Sequence, residues 1–113
     1  MQEYVAIAIS ASPIGIDIES INRNALALIK SYLQLKEICD LVECSNTSEE
    51  ALLLWGVKEA AFKLASEKVA VLKDIRVEKK IKGYAITYPD SSTAVCKVQI
   101  IGDILLAVAE YDY

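Results

Sequence analysis

A chain of 113 residues that is 54% hydrophobic has the size of one compact domain, able to bury roughly two thirds of its unfolded surface. Its formal net charge of −4 argues against a nucleic-acid binder, which needs a basic surface to neutralise phosphate. The lack of any histidine removes His-based triads, imidazole proton transfer and histidine metal ligation together, so any chemistry must run on carboxylates, lysines or a bound metal. No stretch reaches the roughly 18 uncharged apolar residues of a membrane span. The start MQEYVAIAIS lacks the basic residues and cleavage site of a signal peptide, so the expected setting is the cytoplasm. Cys39, Cys44 and Cys96 form an odd set without a C-x-x-C pair and read as reduced bystanders.

With no repeat or linker to divide it, the chain is expected to be one domain over residues 1–113. Residues 4–10, YVAIAIS, predict a strand, and Ser12-Pro13 a turn into a second strand over 14–19, giving an N-terminal hairpin. Asn22 or Asn24 can cap a helix through ALALIKSYL, and a second helix follows over 35–42. After the polar loop CSNTSEE, Thr47 and Glu50 fit a capping box at the start of a long helix reaching about Leu64. Beyond Lys73 the pattern alternates: DIRVEKK, GYAITYP, STAVCKVQII and ILLAVAEY predict four strands separated by turn signals. The plan is α+β, an antiparallel sheet packed on one long central helix.

Two segments carry the chemistry. In PIGIDIES, Ile14, Ile16 and Ile18 read as a buried strand, yet Asp17 and Glu19 sit between them on the opposite face, shared with Gly15. One reading is an edge strand with its polar face in water. In WGVKEAAFKL, helical spacing puts Glu59 on the side of Leu52, Trp55 and Phe62, while Leu54, Val57, Ala61 and Leu64 line the other. A helix apolar nearly all round is a buried one. An ionised Glu59 there must be paired, neutralised or metal-bound, and Lys63 one turn on is the simple partner. The alternative joins all three acids: crowded carboxylates repel unless a divalent cation sits among them. A hard cation such as Mg²⁺ takes a few carboxylates completed by water and phosphate. On this reading Asp17, Glu19 and Glu59 hold a metal, while Lys58 and Lys63 grip or protonate phosphate oxygens. Trp55 reads as helix packing, Arg23 as a surface arginine, and Lys79, Lys80 and Lys82 as a solvated turn. Tyr84, Tyr88, Tyr111 and Tyr113 read as core or sheet aromatics.

PIGIDIE paired with WGVKEAAFK, with Tyr32 to Glu37 between them similar to an F-x-x-x-x-E helix start, resembles the 4′-phosphopantetheinyl transferases. The form is closest to the surfactin-synthetase-activating type, over about Tyr4 to Lys63. The resemblance implies a single transferase-like lobe and transfer of the phosphopantetheine arm of coenzyme A to a serine of an acyl or peptidyl carrier protein. It further implies that Asp17 and Glu59 are the principal Mg²⁺ ligands, with Glu19 a third acid that acts directly or through water. Glu59 would help deprotonate the serine, Lys63 would stabilise phosphate or protonate the leaving group, and Lys58 would add a phosphate contact. Two-lobed relatives supply basic residues from a first lobe that this chain does not match. Single-lobed holo-acyl-carrier-protein synthases form trimers with sites between subunits, so a homo-oligomer is expected. The alternative is a non-catalytic half-size relative that binds a carrier protein or a partner lobe.

Overall fold

The computed structural model describes residues 13–112; the strand expected over 4–10, its hairpin, the Ser12-Pro13 turn and Tyr113 fall outside them. Strand β1 (Ile14–Ser20) leads through a 3-10 turn into the short helix α1 (Ile29–Tyr32), then α2 (Leu35–Val42) and α3 (Thr47–Leu64). The four strands expected in the second half are β2 (Arg76–Lys80), β3 (Gly83–Thr87), β4 (Thr93–Ile101) and β5 (Ile104–Tyr111). They form a five-stranded sheet ordered β1-β5-β4-β3-β2, antiparallel at every pairing. The α+β plan is the one expected. Pairing of β1 with the last strand brings the two ends of the described chain together.

Helix α3 begins where it was expected, but its cap differs. Asn46, not Thr47, is the N-cap: its Oδ1 accepts from the Glu49 backbone N–H at 3.1 Å, and its Nδ2 donates to Glu49 Oε2 at 3.2 Å. That frees Glu50 to turn inward, where it accepts from the Tyr84 hydroxyl at 3.0 Å and from Lys79 at 3.3 Å. Lys79 is therefore tied to the helix as well as to its turn. The first predicted helix is shorter than expected, because residues Leu26–Leu28 wind as a 3-10 turn behind the Asn24 side chain, which accepts from Ala27 N–H.

The helix packs on the sheet through small residues. A Cβ placed on Gly15 would lie 2.0 Å from the Ala60 carbonyl oxygen and 2.6 Å from the Leu64 nitrogen, so β1 and α3 touch backbone to backbone. Ala60, Ala61, Ala107 and Ala109 are fully buried around that contact. Consequently β1 faces the opposite way from an apolar-inside strand: Gly15 and Asp17 are buried against α3, while Ile14, Ile16 and Ile18 are half-exposed on the outer face. There Ile16 pairs with Val108 and Ile18 with Leu106. Among the described strands β1 is an edge strand, as that reading had it, but its acids are not in water: Asp17 is buried and Glu19 half-buried against α3.

A second anchor holds α2, α3 and β2 together. Glu37 Oε1 accepts from the Gln34 backbone N–H at 2.7 Å and from Lys58 Nζ at 2.8 Å, and Oε2 accepts from Val77 N–H at 2.8 Å. Lys58 is wholly buried and donates also to the Ile75 carbonyl. Burial pulls its ammonium below the ordinary lysine range, an effect Glu37 opposes. Such a pair is sustained by its hydrogen bonds, since desolvated charges without partners are costly. Among the described residues no helix is long and apolar enough to cross a membrane.

Candidate active site

The close approach at Gly15 sets the site, because Asp17 lies on the same face two residues further along β1. Asp17 is 4% exposed. Its Oδ1 accepts from Lys63 Nζ at 2.9 Å, so the Lys63 ammonium bridges helix to strand and the expected Glu59 to Lys63 pair is replaced by one with Asp17. The other oxygen, Oδ2, is buried without a hydrogen-bond partner among the described residues. An orphaned carboxylate oxygen inside a protein is rare and costly.

Glu59, one helical turn before Lys63, adds a second carboxylate with no hydrogen bond or ion pair among the described residues. Burial pushes its carboxyl above the ordinary value and the Asp17 charge adds to this, while Lys63 and Arg23 oppose it. A glutamate held in this way is a better proton acceptor than one in water. Glu19 is differently placed: Oε1 accepts from the Trp55 indole N–H at 2.8 Å, and Arg23 lies 3.7 Å from Oε2. Burial raises the Glu19 carboxyl above its ordinary value; the Trp55 bond and the Arg23 charge lower it, while the charge of Asp17 and a side-chain contact with that carboxyl raise it.

Asp17, Glu19, Glu59 and Lys63 are thus brought together. Lys58 is not. Its phosphate-contact role is corrected, because its side chain is wholly buried and committed to Glu37 and Ile75. Two neighbours were not anticipated as members of the site: Arg23, whose guanidinium carbon lies 4.5 Å from the Trp55 ring centroid, and Trp55 itself. The signal for Trp55 was present, since four residues on one helix put it over Glu59; nothing in the sequence alone tied it to Glu19 across 36 residues.

Whether these groups suit a cation can be tested on their oxygens. Among the described residues no group of three or more His, Cys, Asp or Glu closes into a metal cage. What stands free is Asp17 Oδ2 and the Glu59 carboxylate, two hard oxygen donors. That matches Mg²⁺, which commonly takes one or two carboxylates and leaves its remaining positions to water and phosphate.

This arrangement defines a class. The sequence profile of the 4′-phosphopantetheinyl transferase superfamily matches residues 13–109, and the chain belongs to that superfamily. Its fold is shared with holo-acyl-carrier-protein synthases. The Helicobacter pylori enzyme, solved in complex with coenzyme A, superposes with a TM-score of 0.68 at 22% identity, over 88% of this chain and 99% of that one. The Neisseria meningitidis synthase gives 0.71 at 16% identity, over 89% and 98%. The Plasmodium yoelii synthase gives 0.67 at 18% identity, over 88% and 92%. No curated protein matches the chain by sequence.

Proposed function

We propose that the protein is a Mg²⁺-dependent holo-carrier-protein synthase, moving the 4′-phosphopantetheine arm of coenzyme A to a serine of an acyl or peptidyl carrier protein in the cytoplasm. The observation that carries this reading is the buried, unpartnered Oδ2 of Asp17 beside a second unpaired acid, in a chain of this superfamily. Asp17 and Glu59 hold the cation, and Glu19 is the third acid of the site. When bound, Mg²⁺ supplies Lewis-acid charge stabilisation on the diphosphate.

The chain's own groups do the rest. Glu59, its basicity raised by burial, accepts the serine proton directly or through water. The serine oxygen bonds to the phosphorus that carries pantetheine as the bond to the leaving phosphate breaks, releasing adenosine 3′,5′-bisphosphate. Lys63, half-exposed and already turned towards the acids, places its ammonium on the phosphate oxygens, where developing charge needs it. The outer face of β1 and β5, with Ile14, Ile16, Ile18, Leu106 and Val108, supports a homo-oligomer in which a neighbouring copy completes the coenzyme A site.

Titration calorimetry of coenzyme A with and without Mg²⁺, beside the mass in solution, is the test. Mg²⁺-dependent binding by an oligomer is expected, with transfer abolished in Glu59→Gln while the fold remains. A monomer with no coenzyme A affinity overturns the proposal. The competing reading, a non-catalytic relative that binds a carrier protein, draws on the Lys63 ammonium occupying Asp17 Oδ1; it requires carrier binding without transfer at saturating Mg²⁺ and coenzyme A.

A further inference from the structure

Trp55 stands where an ordinary packing residue would not need a hydrogen bond, and its indole N–H points at Glu19, two residues from Asp17. We infer that Trp55 is a positioning residue that keeps Glu19 out of the cation's inner coordination shell and leaves the cation to Asp17 and Glu59. The inference rests on the metal site proposed above.

Both Glu19 oxygens are engaged, Oε1 by the indole at 2.8 Å and Oε2 by Arg23 at 3.7 Å. The indole is itself fixed on two sides. Arg23 lies over its face at 4.5 Å, and the Tyr32 ring meets it edge-on, with centroids 5.0 Å apart and planes at 86°. Tyr32 cannot yield: it is wholly buried, and its single hydroxyl proton is shared between the Ala25 and Ala51 carbonyls, 2.9 and 3.1 Å away. Glu19 is therefore held by a chain of contacts that ends in backbone even though its carboxyl lies against that of Asp17, whose Oδ2 has no hydrogen-bond donor among the described residues.

The consequence is chemical. A third carboxylate on the cation would strengthen its grip on the bare ion, since affinity follows the charge of the ligand set. It would also take a coordination position and add negative charge where a diphosphate must arrive. Keeping Glu19 on Trp55 gives up affinity for the free ion and leaves room for the anionic co-substrate.

This fixes the sign of an experiment. Trp55→Phe keeps an aromatic ring between Arg23 and Tyr32 and deletes only the indole donor. Mg²⁺ titrated alone should bind the variant more tightly than wild type, by about three- to tenfold as the ligand charge rises, while coenzyme A in saturating Mg²⁺ binds more weakly. If the indole instead braces an inner-shell Glu19, the variant loses Mg²⁺ affinity, by about 10- to 100-fold as for other supports of metal ligands, and the inference is overturned. An unchanged Mg²⁺ affinity overturns it too. A wild type that binds no Mg²⁺ brings down the metal site and this inference together.

Because the chain has one tryptophan, the single indole N–H resonance gives a second reading on the wild type, independent of how the variant folds. Glu19→Gln should shift it in metal-free protein, and saturating Mg²⁺ should leave it in place. Movement under Mg²⁺ to the Glu19→Gln position would mean that Glu19 had left Trp55 for the cation.

Discussion

Gly15→Ala is the perturbation that tests the backbone contact between β1 and α3. The added methyl would sit 2.0 Å from Ala60 O, 2.6 Å from Leu64 N and 3.0 Å from Leu64 Cβ. A tolerable carbon-to-oxygen approach is about 3.3 Å, so strand and helix must separate by roughly 1 Å. Two of the three atoms struck are backbone atoms within a helix, which cannot rotate aside. Overpacking of a core costs about 1–3 kcal/mol when side chains can shift. Here the loss should lie at or above the top of that range, because a gap of about 1 Å also forfeits up to half of the dispersion energy along the seam. With a urea m-value of about 2 kcal/mol/M, the unfolding midpoint falls by about 1.5 M. Gly56→Ala is the internal control. Its methyl meets the end of the Leu105 side chain, Cδ2, at 2.9 Å; that group can turn away, and alanine in a helix regains about 1 kcal/mol over glycine. The control midpoint should barely move. Equal damage from the two substitutions, or an unshifted midpoint in Gly15→Ala, would refute the reasoning.

Lys58→Met strips the buried Glu37 of its cation and the Ile75 carbonyl of a donor. Breaking such a pair costs about 3–5 kcal/mol, so thermal unfolding should drop by at least about 10 °C, while KM for coenzyme A in the folded fraction stays put; a raised KM would restore Lys58 as a phosphate contact. Lys63→Ala should abolish transfer in a carrier-protein loading assay; because it also takes from the buried Asp17 carboxylate its one donor among the described residues, it should lower stability as well, by about 1–3 kcal/mol, and restoring transfer with Lys63→Arg would keep the two effects apart. Cys96, 1% exposed, should resist alkylation in the native protein while Cys39 reacts, and become reactive in urea. Burial pushes the Cys96 thiol from 9.0 up to about 12. The unfolded chain therefore loses that proton first, and the contribution to stability is whole below pH 9 and is lost as pH rises from 9 to about 12. Urea midpoints on either side of pH 9 check the sign.

Much of this fold is written in local pattern. Helix α2 and the four later strands follow from periodicity and turn residues, such as Gly83 at a φ of 92° and Gly102 at 61°, both at hairpin bends. What local pattern did not give was the orientation of β1. Three isoleucines outweigh one glycine and two acids in any hydropathy reading, so the isoleucine face looks like the buried one. The decision was made by shape: only the glycine face lets the strand meet α3 backbone to backbone, and the acids are carried inward with it. The same limit explains Lys58 and Lys63. Both follow the tryptophan on one helix, and their spacing separates their directions by more than a quarter turn. Which of them meets Asp17 and which meets Glu37 depends on where β1 and α2 lie, and a single helix does not encode that.

The inward acids also explain why the site is built at this seam. Elsewhere a buried carboxylate is well supplied: Glu37 on α2 takes three donors, and Glu50 on α3 takes two. At Asp17 satisfaction stops halfway, with one oxygen on Lys63 and the other without a donor among the described residues. A fold that completes Glu37 and Glu50 leaves this one open, beside Glu59, a second acid unpaired among the described residues. Exceptions to local rules of this kind concentrate where a protein binds or reacts. Filling that gap from within the chain, for example by Ala107→Ser on the register neighbour of Asp17, should raise the unfolding midpoint and lower Mg²⁺ affinity together. A variant in which stability rises and Mg²⁺ binding does not change would separate the orphaned oxygen from the metal site.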